Sequence, residues 1–347
     1  MRSIGFKPHI AAGVEAAASS GGALVPPVMG AGAYMMLEII NRDPAVTYLE
    51  ICQAAFLPAC LYYLSIFMLV HFYARKIDVE SDRANSRLAE KRADESAATT
   101  VVSELAPAPA APIISLEGRA FFGSLGGLMG FLLVGFLVAI MFCSLVLRMG
   151  LPSAVSYLLL ATIIGPVFAD PSLGVPILAA HLFIFYFGMM AMVTPPVALA
   201  AYATASIAYA SVMQSGIAAF RFSLVGFTLP FMFVYRPALC LMGNDGGSPL
   251  VMDVVIAVAA AVIGVIALSS AMAGFLFHRL GAMSRLLLYV AASCALFPDQ
   301  FGLVGDRLQL FDVIGAVLLF SVGIWNWNHP PKESENASGR PVRNTAR

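Results

Sequence analysis

Charge is scarce in this chain of 347 residues. Only 12% of its residues are charged, whereas a soluble domain carries about 25%, and 60% are hydrophobic. The mean hydropathy is +0.85. This composition predicts an integral protein of the lipid bilayer. The formal net charge is zero, so the chain offers no general electrostatic basis for binding nucleic acid.

Cysteines and catalytic motifs are also few. The five cysteines stand in apolar stretches without CxxC spacing, which predicts packing residues and neither disulfides nor metal ligands. The chain has no HExxH, GxSxG or P-loop motif, and Gly305-Asp306 lacks the paired aspartate motif of an intramembrane protease. We therefore expect no enzyme, no cofactor and no ATP-driven transport by this chain alone.

Two apolar segments are each interrupted by a pair of prolines in a similar context. Pro26-Pro27 follows Ser19-Ser20-Gly21-Gly22, and Pro195-Pro196 follows Thr194. A proline pair removes two backbone donors and leaves carbonyls one turn earlier without partners. In lipid, such carbonyls cost several kcal/mol each unless a polar group meets them. Matched breaks of this kind point to the binding site of a secondary transporter.

The polar groups beside these breaks suit a hard cation such as sodium. The carbonyls expected to be free are those of Gly22, Ala23, Ala191 and Met192. Together with the hydroxyls of Ser19, Ser20 and Thr194, they would offer the oxygen ligands that such a cation takes. The alternative is an ordinary proline kink whose carbonyls are satisfied by Ser, Thr or a neighbouring helix.

Other polar residues at membrane depth are further candidates. Gly150-Leu151-Pro152-Ser153 predicts the tip of a re-entrant hairpin with Ser153 facing a site, although an ordinary interhelical turn would have the same sequence. Glu15 lies one turn before Ser19, and His181 lies in the run that leads to the second proline pair. Ionisable residues within the membrane are functional candidates. Asp312 stands near a span end, which predicts a helix cap.

Hydrophobic runs and charge clusters divide the chain into five parts. They are a remnant of a first repeat at 1–74 (broken helix at 10–40, span at 51–74), a flexible polar linker at 75–119, a second repeat at 120–243, additional spans at 250–328 and a tail at 329–347. The second repeat is expected to hold a span at 120–147, the hairpin at 149–170, the broken helix at 176–206 and a span at 222–242. The predicted fold class is an all-α polytopic membrane protein with discontinuous helices and an incomplete inverted repeat.

The distribution of Lys and Arg predicts the orientation. With the linker at 75–119 in the cytoplasm, the tail at 329–347 is cytoplasmic too, and the loop near 244–247 lies outside. This places Arg42 and Arg307 on the outer side, against the general trend. The two proline-broken helices then run in opposite directions, which is the geometry of inverted-repeat carriers.

At these motifs the chain resembles the large membrane subunit of TRAP (tripartite ATP-independent periplasmic) transporters, in particular the fused permeases of the TAXI type. The resembling stretches are 13–22 with 26–30, 149–153, 180–188 running into 193–200, and 231–239. The resemblance covers about 1–75 and 145–243, and 250–328 looks like the extra spans of the fused type.

The resemblance implies an elevator-type, sodium-coupled importer of the bacterial inner membrane. A periplasmic binding protein would deliver an organic acid to it. The residues that would surround the ion and substrate sites are Ser19, Ser20, Gly21, Gly22, Pro26, Gly150, Pro152, Ser153, Thr194 and Pro195. Glu15 and His181 are possible polar groups within the membrane.

The sequence departs from that family in its organisation, and also at Ser153, where Thr is expected, and at Met192, where a polar or smaller residue is expected. The family has many residues upstream, including a first re-entrant hairpin, and several helices between the repeats that the linker replaces here. Half of the first ion site is therefore expected to come from a partner chain, or that site does not exist. The alternative function is a truncated, transport-incompetent relative that acts as a membrane assembly or binding module, or a decayed gene product.

Overall fold

The chain is an all-α polytopic membrane protein. The computed structural model describes residues 1, 5–40, 46–94, 125–147, 151, 153–168, 174–243, 247–296, 302–304 and 308–329. Within these ranges, the helices are α1 (Pro8–Gly21), α2 (Gly30–Ile39), α3 (Tyr48–Asp94), α4 (Leu125–Leu147), α5 (Ser153–Phe168), α6 (Ile177–Met190), α7 (Leu199–Ile207), α8 (Val212–Ser223), α9 (Leu229–Tyr235), α10 (Val251–Ala273), α11 (Ala282–Leu296) and α12 (Leu310–Asn328). A small antiparallel hairpin, β1 (Gly302–Val304) and β2 (Leu308–Gln309), joins α11 to α12.

Three of the described helices are long and apolar enough to cross a bilayer. They are α3 over Tyr48–Ser81, α10 and α12. They coincide with the predicted spans at 51–74, 251–277 and 310–327. A fourth candidate is the pair formed by α8 and the segment Gly226–Tyr235, which is bent by 53°.

That bend corrects the prediction of one continuous span at 222–242. Helix α8 ends at Ser223, a short 3-10 turn covers Gly226–Thr228, and α9 ends at Tyr235. The ring of Tyr62 occupies the space beside Gly226, where an added Cβ would lie 2.5 Å from Cδ2 of the ring. Pro230, which has no amide hydrogen, stands in the first turn of α9 and favours a new helix start there.

Helix α3 also differs from the sequence expectation. It continues through Asp94, so the first part of the linker predicted at 75–119 is helical rather than flexible. Residues 75–94 are rich in Ala, Arg, Glu and Lys, which have high helix propensity in addition to being polar. Residues 95–119 of the predicted linker lie outside the described residues.

Helix α6 lies at the centre of the core. Every residue from 178 to 190 is buried, and α4, α5 and α9 pack against it. The ring of Phe183 makes edge contacts with Phe187 and Phe231 at centroid distances of 4.8 and 5.4 Å. Burial on all sides explains why α6 is apolar all round rather than amphipathic.

The C-terminal helices form a unit on the other side of α3. Helix α10 packs along α3, and α11 and α12 pack against α10 and each other. Asp312 of α12 forms a 2.7 Å ion pair with Arg236, and both side chains are buried. The prediction of Asp312 as a helix cap is therefore wrong, because its carboxylate neutralises an arginine from another element.

Candidate functional site

The two proline breaks have the same local structure. In each, the first helix ends in a 3-10 turn, a cis Pro-Pro peptide follows, and a residue with positive φ precedes the second helix. The residue with positive φ is Met29 (31°) in the first break and Ala198 (33°) in the second. Equivalent positions are always 169 residues apart: Gly22 and Ala191, Pro26 and Pro195, Met29 and Ala198, Gly30 and Leu199. The breaks are therefore copies of one structural unit.

The two copies contact each other inside the protein. Helix α1 packs against the turn Ala191–Val193, and α6 packs against the turn Gly22–Leu24. The hydroxyl of Thr204 in α7 donates a 2.9 Å hydrogen bond to the carbonyl of Ala12 in α1. Each break is thus held beside a helix of the other copy, which brings the two sets of polar groups into one region.

Thr194 organises the backbone of the second break. Its amide donates to the carbonyl of Ala191 at 3.3 Å, and its hydroxyl donates to the carbonyl of Met190 at 2.8 Å. The carbonyl of Ala191 was expected to be free, and this expectation is wrong, because that carbonyl accepts the Thr194 amide hydrogen. The lone pairs of the Thr194 hydroxyl are still available to a cation, because the bond to Met190 uses only the hydroxyl hydrogen.

A tyrosine hydroxyl satisfies the carbonyl of the second proline in both breaks. Tyr202 donates to the carbonyl of Pro196 at 2.5 Å, and Tyr48 of α3 donates to the carbonyl of Pro27. Tyr34 stacks on Tyr48 with ring centroids 4.9 Å apart. Tyr34 and Tyr202 stand shortly after the proline pairs in the sequence, whereas Tyr48 belongs to another helix.

Ser19 and Ser20 point to different surroundings. Ser20 is buried, donates to the carbonyl of Ala17 at 2.9 Å and lies 3.3 Å from the hydroxyl of Tyr62. Ser19 is exposed, and its hydroxyl lies 3.4 Å from a carboxylate oxygen of Glu15. Consecutive residues of a helix are about 100° apart. The structure therefore does not bring these two hydroxyls to one point, as a shared ion site would require.

The glycines and proline of the first break have separate roles. A Cβ on Gly21 would lie 2.4 Å from the ring of Tyr62, so only glycine fits there. Gly22 has open space beside its Cα. Gly22 and Pro26 line a groove of about 660 Å³ that also includes Phe56 and Tyr63 of α3. Gly22 and Pro26 are thus accessible from this groove, whereas Gly21 is closed off.

The predicted hairpin tip is only partly described. Gly150 and Pro152 lie outside the described residues, and of Ser153 the structure gives only the backbone at the start of α5. That helix has 16 residues and is about 24 Å long, shorter than the roughly 30 Å of a bilayer core. It packs against α6 and against α2 of the first copy.

His181 is buried in α6 and bonded to a tyrosine. Its Nδ1 lies 2.8 Å from the hydroxyl of Tyr157 in α5. Gly165 of the same helix faces the imidazole, since a Cβ there would lie 3.5 Å from Cε1. The sequence gave no indication of Tyr157.

In the second break, Pro195 lies against Gly216 of α8, where a Cβ would be 3.7 Å from the proline Cγ.

A family model described as "Tripartite ATP-independent periplasmic transporter, DctM component" matches residues 1–123 and 124–244. The chain belongs to this family. No curated protein and no solved structure matches it. The match confirms the resemblance to the TRAP large membrane subunit and makes the chain a permease component, while the TAXI-type fusion stays a prediction. Helices α10–α12 lie beyond the matched residues.

Proposed function

We propose that this DctM-family chain imports organic acids with sodium as the coupling ion, in the bacterial inner membrane. A soluble periplasmic protein delivers the substrate. The observation that carries the proposal is the contact between two copies of one broken helix, each held beside a helix of the other. Paired broken helices at a repeat interface are where carriers bind substrates and ions.

Oxygen atoms at the second break support a hard cation. The Thr194 hydroxyl is only half buried, and its bond to the carbonyl of Met190 leaves the oxygen lone pairs unused. The carbonyl of Met192 and the lone pairs of Thr194 are the groups we assign to sodium here. At the first break, Ser19, Gly22 and Pro26 face outward from the chain, and we assign them to the substrate side.

A partner chain supplies the rest of the first site. Glu15 and Ser19 form an exposed polar pair on α1, and Pro27 and Val28 are exposed beside the groove. Neither a carboxylate nor irregular backbone is stable against lipid tails. A membrane segment of another polypeptide would cover the irregular backbone, and it would bring a hydrogen-bond donor or a positive charge to Glu15.

The second candidate function is a transport-incompetent relative that acts as an assembly or binding module. The divergence of Ser19 and Ser20 favours it, since the described residues do not gather both hydroxyls around one ion. This candidate predicts that cells lacking the chain take up organic acids as fast as cells that contain it.

The test of sodium binding is thermal unfolding of the purified chain in detergent at constant ionic strength. Sodium, but not potassium, should raise the unfolding midpoint, and at 100 times the Kd the stabilisation is about 2.7 kcal/mol. Thr194→Ala should abolish this rise. Thr162→Ala is the matched control, because the Thr162 hydroxyl also donates to carbonyls of its own helix but lies exposed on α5. Equal responses to both salts would refute the sodium assignment.

The test of transport is uptake of labelled organic acids by cells with the native chain, with Thr194→Ala, or with neither. Uptake should require sodium and should fall to the level of the deletion strain in Thr194→Ala. Sodium-specific stabilisation without any uptake would support the second candidate function and would not contradict the sodium site.

A further inference from the structure

Helix α12 is bonded to the rest of the protein near both of its ends. Near its start, the carboxylate of Asp312 pairs with the guanidinium of Arg236 at 2.7 Å. Near its end, the amide oxygen of Asn326 accepts hydrogen bonds from the backbone of Phe277 and His278 at 3.0 and 2.8 Å. With a rise of 1.5 Å per residue, about 21 Å of helix separates Asp312 from Asn326. The two attachments therefore lie at opposite ends of the span.

The loop that Asn326 holds is itself tied to α3. Arg279 of this loop pairs with Glu80, and the ammonium group of Lys76 donates to the carbonyl of Ala273 at 3.2 Å. Between the ends, α10 lies along α3, and the Ser269 hydroxyl is 3.5 Å from the carbonyl of Ser65. The C-terminal unit thus follows α3 over much of the length of the membrane span.

The contacts that the C-terminal helices make with α3 and with Arg236 reach different copies of the repeat. Glu80 and Lys76 belong to α3, which follows the first break, whereas Arg236 follows α9 behind the second break. Both lie in the family-matched residues, while Asp312 and Asn326 lie beyond them. Arg236 and Asp312 are both buried, and a buried charge that loses its partner is strongly destabilising.

We propose that α10–α12 is a brace that holds α3 and the segment Arg236–Cys240 together as one rigid body. Asp312 is a positioning residue in this arrangement, because it neutralises Arg236 and fixes the start of α12. During transport, α3, the segment Arg236–Cys240 and the brace then move together as one unit. Any relative motion occurs between other parts of the permease. This inference does not depend on sodium or on the substrate.

The charge pair is tested by thermal unfolding of the full chain in detergent. Asp312→Ala should lower the unfolding midpoint by about 5 °C or more. The reversed pair Arg236→Asp with Asp312→Arg should recover most of that loss, whereas Arg236→Asp alone should not. Asp78→Ala, an exposed carboxylate on α3, is the control and should leave the midpoint unchanged. An unchanged midpoint in Asp312→Ala would overturn the proposal.

The rigidity of α3 against the brace is tested by crosslinking Glu80→Cys to Arg279→Cys with a short thiol-reactive crosslinker. The exposed Cys60 and Cys143 are replaced by serine in this background. Both engineered positions are partly exposed and in contact. Crosslinking should be complete and identical in sodium, in potassium and in the presence of candidate substrates. A yield that varies among these conditions would show that α3 and the brace move relative to each other, and the single rigid body would be excluded.

Discussion

The hydroxyl of Tyr157 and Nδ1 of His181 are 2.8 Å apart and join α5 to α6 inside the core. Both residues are buried. The bond connects the helix that follows the predicted hairpin tip with the helix that leads into the second proline break. The position of α5 against the break therefore depends partly on one polar contact.

Removing this contact should loosen α5. Tyr157→Phe leaves the imidazole nitrogen of a buried histidine without its partner, which costs about 1–3 kcal/mol. We expect a lower unfolding midpoint and faster proteolysis between α4 and α5. Tyr289→Phe on the exposed side of α11 serves as the control. An unchanged midpoint for Tyr157→Phe would mean that the contact does not hold α5 in place.

The ring of Tyr62 should forbid any side chain at Gly21. It lies between Gly21 and Gly226, where added Cβ atoms would approach to 2.4 and 2.5 Å. Gly21→Ala should therefore destabilise the chain by about 1–3 kcal/mol through overpacking. Gly135→Ala in α4 is the matched control, because nothing lies within 4 Å of a Cβ there. Equal unfolding midpoints for the two variants would contradict this packing.

The orientation predicts which positions a membrane-impermeant maleimide reaches. In a background without exposed native cysteines, Asp78→Cys near the polar end of α3 should react only after the cytoplasmic side is opened. Ser248→Cys, exposed in the loop before α10, should react in intact spheroplasts. The opposite labelling pattern would show that the predicted orientation is wrong and that the chain has the reverse orientation.

The partner face should be protected in native membranes. Glu15→Cys should react with maleimide in the purified chain but slowly in native membranes, since a partner segment covers α1 there. Asp78→Cys should react equally in purified chain and opened membranes, which controls for access of the reagent. Equal labelling of Glu15→Cys in both preparations would argue against a partner at this face.

The length of the native product bears on where that partner segment comes from. A chromosomal C-terminal tag and a blot of the membrane fraction measure it directly. A band near the calculated 36.7 kDa would require the covering segment to come from a separate polypeptide. A clearly larger band would place that segment on the same chain, upstream of these residues.

The sequence predicted the breaks well because their cause is local. Proline removes backbone donors wherever it stands, so the expected broken segments at 10–40 and 176–206 closely match α1 with α2 and α6 with α7. The expected spans at 251–277 and 310–327 likewise match α10 and α12, because long apolar runs have few alternatives in a membrane protein.

The features that sequence reasoning missed depend on contacts between distant residues. The hydroxyl of Tyr62 donates to the carbonyl of Ala17, 45 positions away, and its ring packs against Gly226, where the helix is interrupted in a run that remains apolar. Tyr48 and Tyr157 meet their partners through packing that no spacing reveals. Asp312 looked like a cap because its counter-ion, Arg236, is 76 positions away.

The constant interval of 169 residues between the breaks has an evolutionary consequence. A single ancestral segment, duplicated and joined, accounts for both copies, and each copy has since diverged under different demands. One has two serines and two glycines before its prolines, while the other has Gly188, two methionines and Ala191 at the corresponding places. Comparing the two halves of the chain therefore separates the residues that the shared bend requires from those that differ between the halves.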